Sequence, residues 1–74
     1  MYNISKETLE ALRKRFTEGT RVELIHMDDM YSKLQPGDKG TVRCVDDMGT
    51  IHVRWDCGSS LGVVYGEDSC RVIE

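Results

Sequence analysis

The chain has 74 residues, of which 39% are hydrophobic and 31% are charged, and its formal net charge is −3. A chain this short forms one domain and leaves little room for a deep, enclosed active site. The acidic balance argues against broad binding of a nucleic-acid backbone, which needs a basic face, and no apolar run is long enough to span a membrane.

Residues 4–18 have the pattern of an amphipathic helix. Ser5 is a suitable N-cap, because its hydroxyl accepts hydrogen bonds from free amides of a first turn. Leu9, Leu12 and Phe16 recur at intervals of three and four residues, which places them in one apolar stripe. We therefore predict a helix that belongs to the core of the domain.

From residue 20 onward, apolar and polar residues alternate in short segments separated by glycine-containing turns. The predicted strands are residues 21–26, 40–45, 50–55, 59–64 and 71–73. Their alternation places Cys44, Trp55 and Leu61 toward the core. The sequence thus predicts a mainly β single domain: a five-stranded antiparallel barrel, which removes most exposed edges, preceded by one amphipathic α-helix.

Two stretches of the sequence resemble known proteins. Residues 36–42, PGDKGTV, are similar to the approach to the second strand in many SH3-like barrels. Residues 45–61, VDDMGTIHVRWDCGSSL, with YGED at 65–68 and RVI at 71–73, resemble a family of short proteins from bacteria, often Firmicutes, and from phages and mobile elements. That family is described as a domain of unknown function. The resemblance covers nearly the whole chain and implies an SH3-like barrel over residues 20–74, with no function attached.

A weaker likeness connects the sequence to KOW and Tudor modules, which are SH3-like barrels that bind RNA or methylated side chains. It rests on the Gly-x-x-Gly-x-Val turn at residues 37–42 and on an aromatic residue late in a strand. Many unrelated small barrels share this pattern.

Catalytic and metal-binding patterns are weak. His26 and His52 fall at outward or edge positions of predicted strands, and nothing marks either as a partner for Cys57 in its turn. The three cysteines are far apart, unlike the paired ligands of structural zinc sites, and the aspartate pairs at 28–29 and 46–47 are too few for a calcium loop. We expect no enzyme activity, no metal and no other cofactor. Unpaired cysteines and the lack of a secretory signal predict a cytoplasmic location.

The aromatic residues give the leading functional prediction. Tyr31 lies in a long polar loop, Trp55 ends a strand and Tyr65 follows the fourth strand. Together they would form a groove for an extended peptide, a cage for a cation or a stacking surface for a base. The alternative is that Trp55 caps the core and the tyrosines cover its ends. We expect a non-enzymatic module that binds a protein or peptide partner through these residues, with Asp56 and Ser59 of the adjoining turn.

Two other functions stay open. The helix cluster Arg13, Lys14 and Arg15 could contact phosphates of a nucleic acid, although such a cluster also suits a solvated helix end. A homo-oligomer could bind a nucleotide where Arg54 and Arg71 meet Tyr65 at a subunit interface. The acidic charge favours a protein or peptide partner over nucleic acid. The sequence leaves open whether the helix packs on its own barrel or on a second copy.

Overall fold

The computed structural model describes residues 4–28 and 33–73, which form one helix and five strands. The elements are α1 (Lys6–Arg15), β1 (Arg21–His26), β2 (Lys39–Val45), β3 (Thr50–Trp55), β4 (Gly62–Val64) and β5 (Ser69–Val72). The strands pair antiparallel in one sheet of order β4-β3-β2-β1-β5. The chain is mainly β, with one leading helix, which confirms this part of the sequence prediction.

Helix α1 begins and ends through local hydrogen bonds. The Ser5 Oγ accepts from the Thr8 amide at 3.1 Å, so Ser5 is the predicted N-cap. The helix is shorter than predicted, because the backbone of Phe16 leaves the helical conformation, with φ −110° and ψ 67°. The Phe16 amide still donates to the Leu12 carbonyl oxygen at 2.8 Å and closes the last turn. Phe16 is only 5% exposed and belongs to the core cluster of the sheet. The helix therefore packs on its own domain. No helix in the described part of the chain is long and apolar enough to cross a membrane.

The core lies on the face of the sheet that α1 covers. Inward positions of β1 to β4 alternate with polar ones, as the period of a strand requires. Its largest fully buried side chains are Trp55, Leu24, Val22, Val42, Val53 and Val63. Among the described residues no polar or charged side chain is buried, so the opposite face of the sheet carries the strand charges.

An irregularity in β2 reverses one prediction. Val42 pairs with Val53, and the next pair joins Cys44 to His52. One residue of β2 is therefore extra, which is a β-bulge, and the inward alternation resumes one position later. As a result Cys44 is exposed and Val45 is buried. The prediction that Cys44 faces the core is wrong for this reason.

The fourth strand is shorter than predicted. It begins at Gly62, so Leu61 precedes the ladder and is 37% exposed. The predicted inward orientation of Leu61 is therefore wrong. A Cβ placed on Gly62 would lie 2.5 Å from the Thr50 Cγ2, so β4 approaches β3 more closely than a side chain at this position allows.

Candidate functional site

A groove of about 430 Å³ opens between α1 and the turn that joins β4 to β5. Its floor combines the helix stripe with the inner face of the sheet, through Leu12, Phe16, Ile51 and Val63. Polar groups from the end of the helix and from the turn form its rim. The volume is at the lower end of the range for ligand sites, which suits a few side chains rather than a large cofactor.

The turn beside the groove is held by Asp68. Its Oδ2 accepts from the Val64 amide at 2.9 Å, and its Oδ1 accepts from the Asp28 amide at 2.8 Å. The Asp68 amide also donates to the Val64 carbonyl oxygen at 2.8 Å. One carboxylate thus joins the end of β4 to the chain that leaves β1. Tyr65, which is 37% exposed, lines the groove from this fixed turn.

Arg15 supplies the positive charge of the groove. Its guanidinium carbon lies 5.4 Å from the centre of the Phe16 ring, within cation–π distance. The ion pairs found among the described residues do not include Arg15. The guanidinium is thus positioned by an aromatic ring and leaves its charge available to an anionic group.

Cys70 also lines the groove. Burial raises the pKa of its thiol to about 11, and the charge of Arg15 opposes this only in part. The thiol is therefore neutral at neutral pH and serves as a small apolar surface.

The free edge of the sheet also borders the groove. Among the described strands β5 pairs with β1 alone, and the Ile73 amide donates to the Arg21 carbonyl oxygen at 3.0 Å. Because bonded and non-bonded pairs alternate along an antiparallel ladder, Arg71 directs its peptide groups toward β1. The peptide N–H and C=O groups of Cys70 and Val72 therefore point toward the free edge of the sheet. The edge of β5 thus presents backbone donors and acceptors next to the apolar floor.

Trp55 is a core residue and does not contribute to the surface. Its side chain is 1% exposed, and its Nε1 donates to the Leu61 carbonyl oxygen at 2.9 Å. Burial with a satisfied indole nitrogen is the arrangement of an aromatic core residue, so the prediction of Trp55 as a binding residue is corrected. Tyr31 lies outside the described residues. Of the predicted aromatic group, Tyr65 is the member that the described surface presents.

Asp56 and Ser59 stabilise the turn after β3. The Arg21 guanidinium donates to both carboxylate oxygens of Asp56, at 2.8 and 2.6 Å. This hydrogen bonding lowers the pKa of the Asp56 carboxyl. The Ser59 Oγ accepts from the Leu61 amide at 3.3 Å. Neither residue lines the groove, so the structure separates them from Tyr65.

The predicted basic patch is divided. The Arg13 Nη2 donates to the Asp47 Oδ1 at 2.6 Å and its Nε donates to the Val45 carbonyl oxygen at 3.3 Å, which ties α1 to the β2–β3 turn. Arg15 instead lines the groove, and Lys14 is exposed. Successive residues leave a helix in different directions, so the three cations do not form one surface.

The residues of the nucleotide alternative also lie apart within one chain. Arg54 is on β3 and Arg71 is on β5, with β2 and β1 between them. Arg71 pairs with the Glu23 Oε1 at 2.7 Å. Tyr65 is at the groove.

His52 belongs to the β2–β3 turn. Its Nε2 lies 2.9 Å from the Asp46 Oδ2, while the Asp46 Oδ1 accepts from the Met48 and Thr50 amides at 2.9 and 3.0 Å. His26 is exposed on β1. Among the described residues, no group of three or more His, Cys, Asp or Glu side chains is arranged to hold a metal ion.

Sequence reasoning missed Asp68 and Cys70 as groove residues. The helix stripe was visible in the sequence, but its neighbours in the groove come from the far end of the chain. One signal was available: an aspartate three residues after Tyr65, in a glycine-containing link, is typical of a side chain that caps a turn.

The sequence model of a family described as a domain of unknown function, DUF4314, matches residues 5–73. The chain belongs to the DUF4314 family. The match extends from the N-cap of α1 to the residue after β5, so it includes the helix and all five strands. The predicted resemblance to a family described as a domain of unknown function is thus confirmed. No curated protein matches the chain.

Proposed function

We propose that this DUF4314 protein is a non-enzymatic interaction module that binds an extended segment of a protein partner in the groove between α1 and the β4–β5 turn. One observation carries the proposal: a single groove combines an apolar floor, the free edge of β5 and a guanidinium at its rim. These are the three features with which a sheet edge recognises an extended peptide.

Each feature has a separate role in recognition. Peptide groups of Cys70 and Val72 form main-chain hydrogen bonds with the added strand. Alternate side chains of that strand enter the groove, where burial of one Leu-sized side chain contributes about 1.5–3 kcal/mol. Arg15 favours a carboxylate at the adjoining position, because a charge-assisted hydrogen bond is stronger than a neutral one.

The chemistry of the groove supports binding rather than catalysis. The Cys70 thiol has a pKa of about 11, which keeps it protonated at neutral pH. The groove is lined by no described histidine that would act as a base for it. A nucleophile without an activating partner is a poor catalyst.

We further propose that the protein works in the cytoplasm as an accessory protein of a bacterial or phage genome. Cys44, Cys57 and Cys70 are free thiols, which suits a reducing compartment. The net charge of −3 supports a protein partner rather than a nucleic acid.

The test is a selection of phage-displayed random peptides on the immobilised protein. We expect enriched peptides with alternating apolar residues and a carboxylate. Titrated into ¹⁵N-labelled protein, they should shift the amides of β5 and of the end of α1. Tyr65→Ala and Arg15→Gln should each weaken binding about tenfold, whereas Lys14→Gln, which removes the same charge from the neighbouring exposed position, should not. Failure to enrich any peptide, or shifts confined to another surface, would contradict the proposal.

A further inference from the structure

The face of the sheet opposite the core carries an excess of positive charge. Two of its arginines are neutralised, because Arg21 pairs with Asp56 at 2.6 Å and Arg71 pairs with Glu23 at 2.7 Å. Three more cations, Lys39, Arg43 and Arg54, project from the same face. The charge of Lys39 helps to lower the pKa of the Asp56 carboxyl, whereas Arg43 and Arg54 form no ion pair among the described residues. The whole chain has a net charge of −3, so positive charge is concentrated on this face.

Arg43 and Arg54 are close neighbours on this cationic face. Both line a shallow hollow of about 280 Å³ that also includes Thr41 and has Glu18 at its margin. Thr41 is the direct cross-strand partner of Arg54, and Arg43 lies two positions further along β2. A diagonal relationship of this kind brings long side chains within reach of one another.

No ion pair among the described residues compensates the charges of Arg43 and Arg54. Two like charges held close together repel each other, and Glu18 is the one described acidic residue in the lining of the hollow. Arg21 and Arg71 on the same face have carboxylate partners at short distance. An anion from outside the chain would relieve the repulsion through charge-assisted hydrogen bonds.

We propose that this cationic face, formed by Lys39, Arg43 and Arg54, is a docking surface for an acidic segment of a protein, whose carboxylates pair with Arg43 and Arg54. The surface lies across the sheet from the groove and is independent of the proposed groove function.

Two observations favour carboxylates of a protein over the phosphates of a nucleic acid. Three cations, two of them without an ion pair among the described residues, match a short acidic segment, whereas the negative remainder of the chain repels a long polyphosphate. The described Phe, Tyr and Trp side chains lie in the core or at the groove. A base would therefore find none of the described Phe, Tyr or Trp rings on this face on which to stack.

The test uses a fluorescein-labelled hexaglutamate peptide, with binding followed by fluorescence anisotropy at several salt concentrations. We expect salt-sensitive binding, and amide shifts of ¹⁵N-labelled protein centred on Thr41, Arg43 and Arg54. The double variant Arg43→Gln/Arg54→Gln should weaken binding about tenfold or more. The control Lys6→Gln/Lys14→Gln removes the same charge from exposed helix positions and should change affinity less than about twofold.

Three results would overturn the inference. The first is no binding of hexaglutamate at low salt. The second is equal weakening by the two double variants, which would show a response to net charge alone. The third is tighter binding of a labelled duplex oligonucleotide at the same salt concentration, which would assign the face to nucleic acid. Circular dichroism of each variant establishes that it is folded.

Discussion

Gly40 lies directly opposite Trp55 in the β2–β3 ladder, and the space that a side chain of Gly40 would need is already filled. A Cβ at this position would be 2.6 Å from the Val53 Cγ1 and 2.9 Å from both the Arg54 carbonyl oxygen and the Trp55 Cε3. The missing side chain is what allows the indole to pack against β2.

Gly40→Ala should therefore destabilise the protein, although alanine is otherwise the better residue in a strand interior. One of the three close contacts is with backbone, which cannot move aside as a side-chain end can. We expect a loss of about 1–3 kcal/mol in the free energy of unfolding, measured by urea titration with circular dichroism. Lys39→Ala, at the exposed preceding position, is the control and should change stability by less than about 0.5 kcal/mol. Equal stability of Gly40→Ala and wild type would show that β2 and β3 move apart at this position without a measurable cost in free energy.

Trp55→Phe should destabilise the protein for two reasons. The smaller ring leaves a cavity, and the Leu61 carbonyl oxygen loses the donor that lies 2.9 Å away. We expect a loss of about 2 kcal/mol in the free energy of unfolding, again by urea titration. Leu61→Ala keeps the carbonyl group and removes an exposed side chain, so it should cost much less. If the two variants were equally stable, neither the hydrogen bond nor the volume of the indole would contribute measurably to the free energy of unfolding.

The β2–β3 turn should make stability dependent on pH. Partial burial acts to raise the pKa of Asp46, but hydrogen bonds from His52, Thr50 and Met48 outweigh it, and the pKa is lowered. A carboxyl group whose folded pKa lies below its unfolded value stabilises the fold above the unfolded value, and this contribution is lost as pH falls through the folded one.

We therefore expect Asp46→Asn, which keeps a side-chain oxygen at the turn, to flatten the decrease in stability below the ordinary aspartate pKa of 3.8. The measurement is urea unfolding of both proteins at a series of pH values. If the stabilities of the two proteins decreased in parallel over this acid range, Asp46 would not be the cause of the decrease.

The Cys70 thiol should be alkylated more slowly than the thiols of Cys44 and Cys57. Burial raises the pKa of Cys70 to about 11, from an ordinary 9.0, whereas Cys44 and Cys57 are exposed. The lower thiolate fraction alone should slow alkylation of Cys70 by iodoacetamide about a hundredfold at pH 8. Mass spectrometry of peptides after timed alkylation measures each site, and labelling in urea, where the three should converge, is the control. Rapid labelling of Cys70 in the folded protein would mean that the groove opens.

Much of the fold could be predicted because its signals are local. Alternation placed β1 at Arg21–His26 and β3 at Thr50–Trp55, which agree with the structure. Cys44 was wrongly predicted to face the core, because a β-bulge depends on how two strands pair. The sequence of β2 by itself still shows a regular alternation of apolar and polar residues. Likewise, β4 begins at Gly62, where a Cβ would lie 2.5 Å from the Thr50 Cγ2, and alternation along one strand does not show such a contact between strands.

The candidate site was predictable in parts only. Tyr65 was identified as an accessible aromatic residue, and Leu12 as part of an apolar helix face. Their meeting in one groove depends on the Asp68 carboxylate reaching the Asp28 amide, a contact between residues 40 positions apart. Trp55 had two possible roles, and only the tertiary position of its Nε1 decides between them.

The strand order also determines when the sheet can be completed. β2 and β3 are joined by a short turn and can pair as soon as both exist, but Glu23 of β1 and Arg71 of β5 are 48 positions apart. Pairing across such a distance is slow, because the entropy of closing the loop must be overcome before any contact forms. During synthesis β1 therefore keeps one open edge until β5 has left the ribosome. In that interval the open edge of β1 has unpaired backbone groups that a strand of another copy can also pair with.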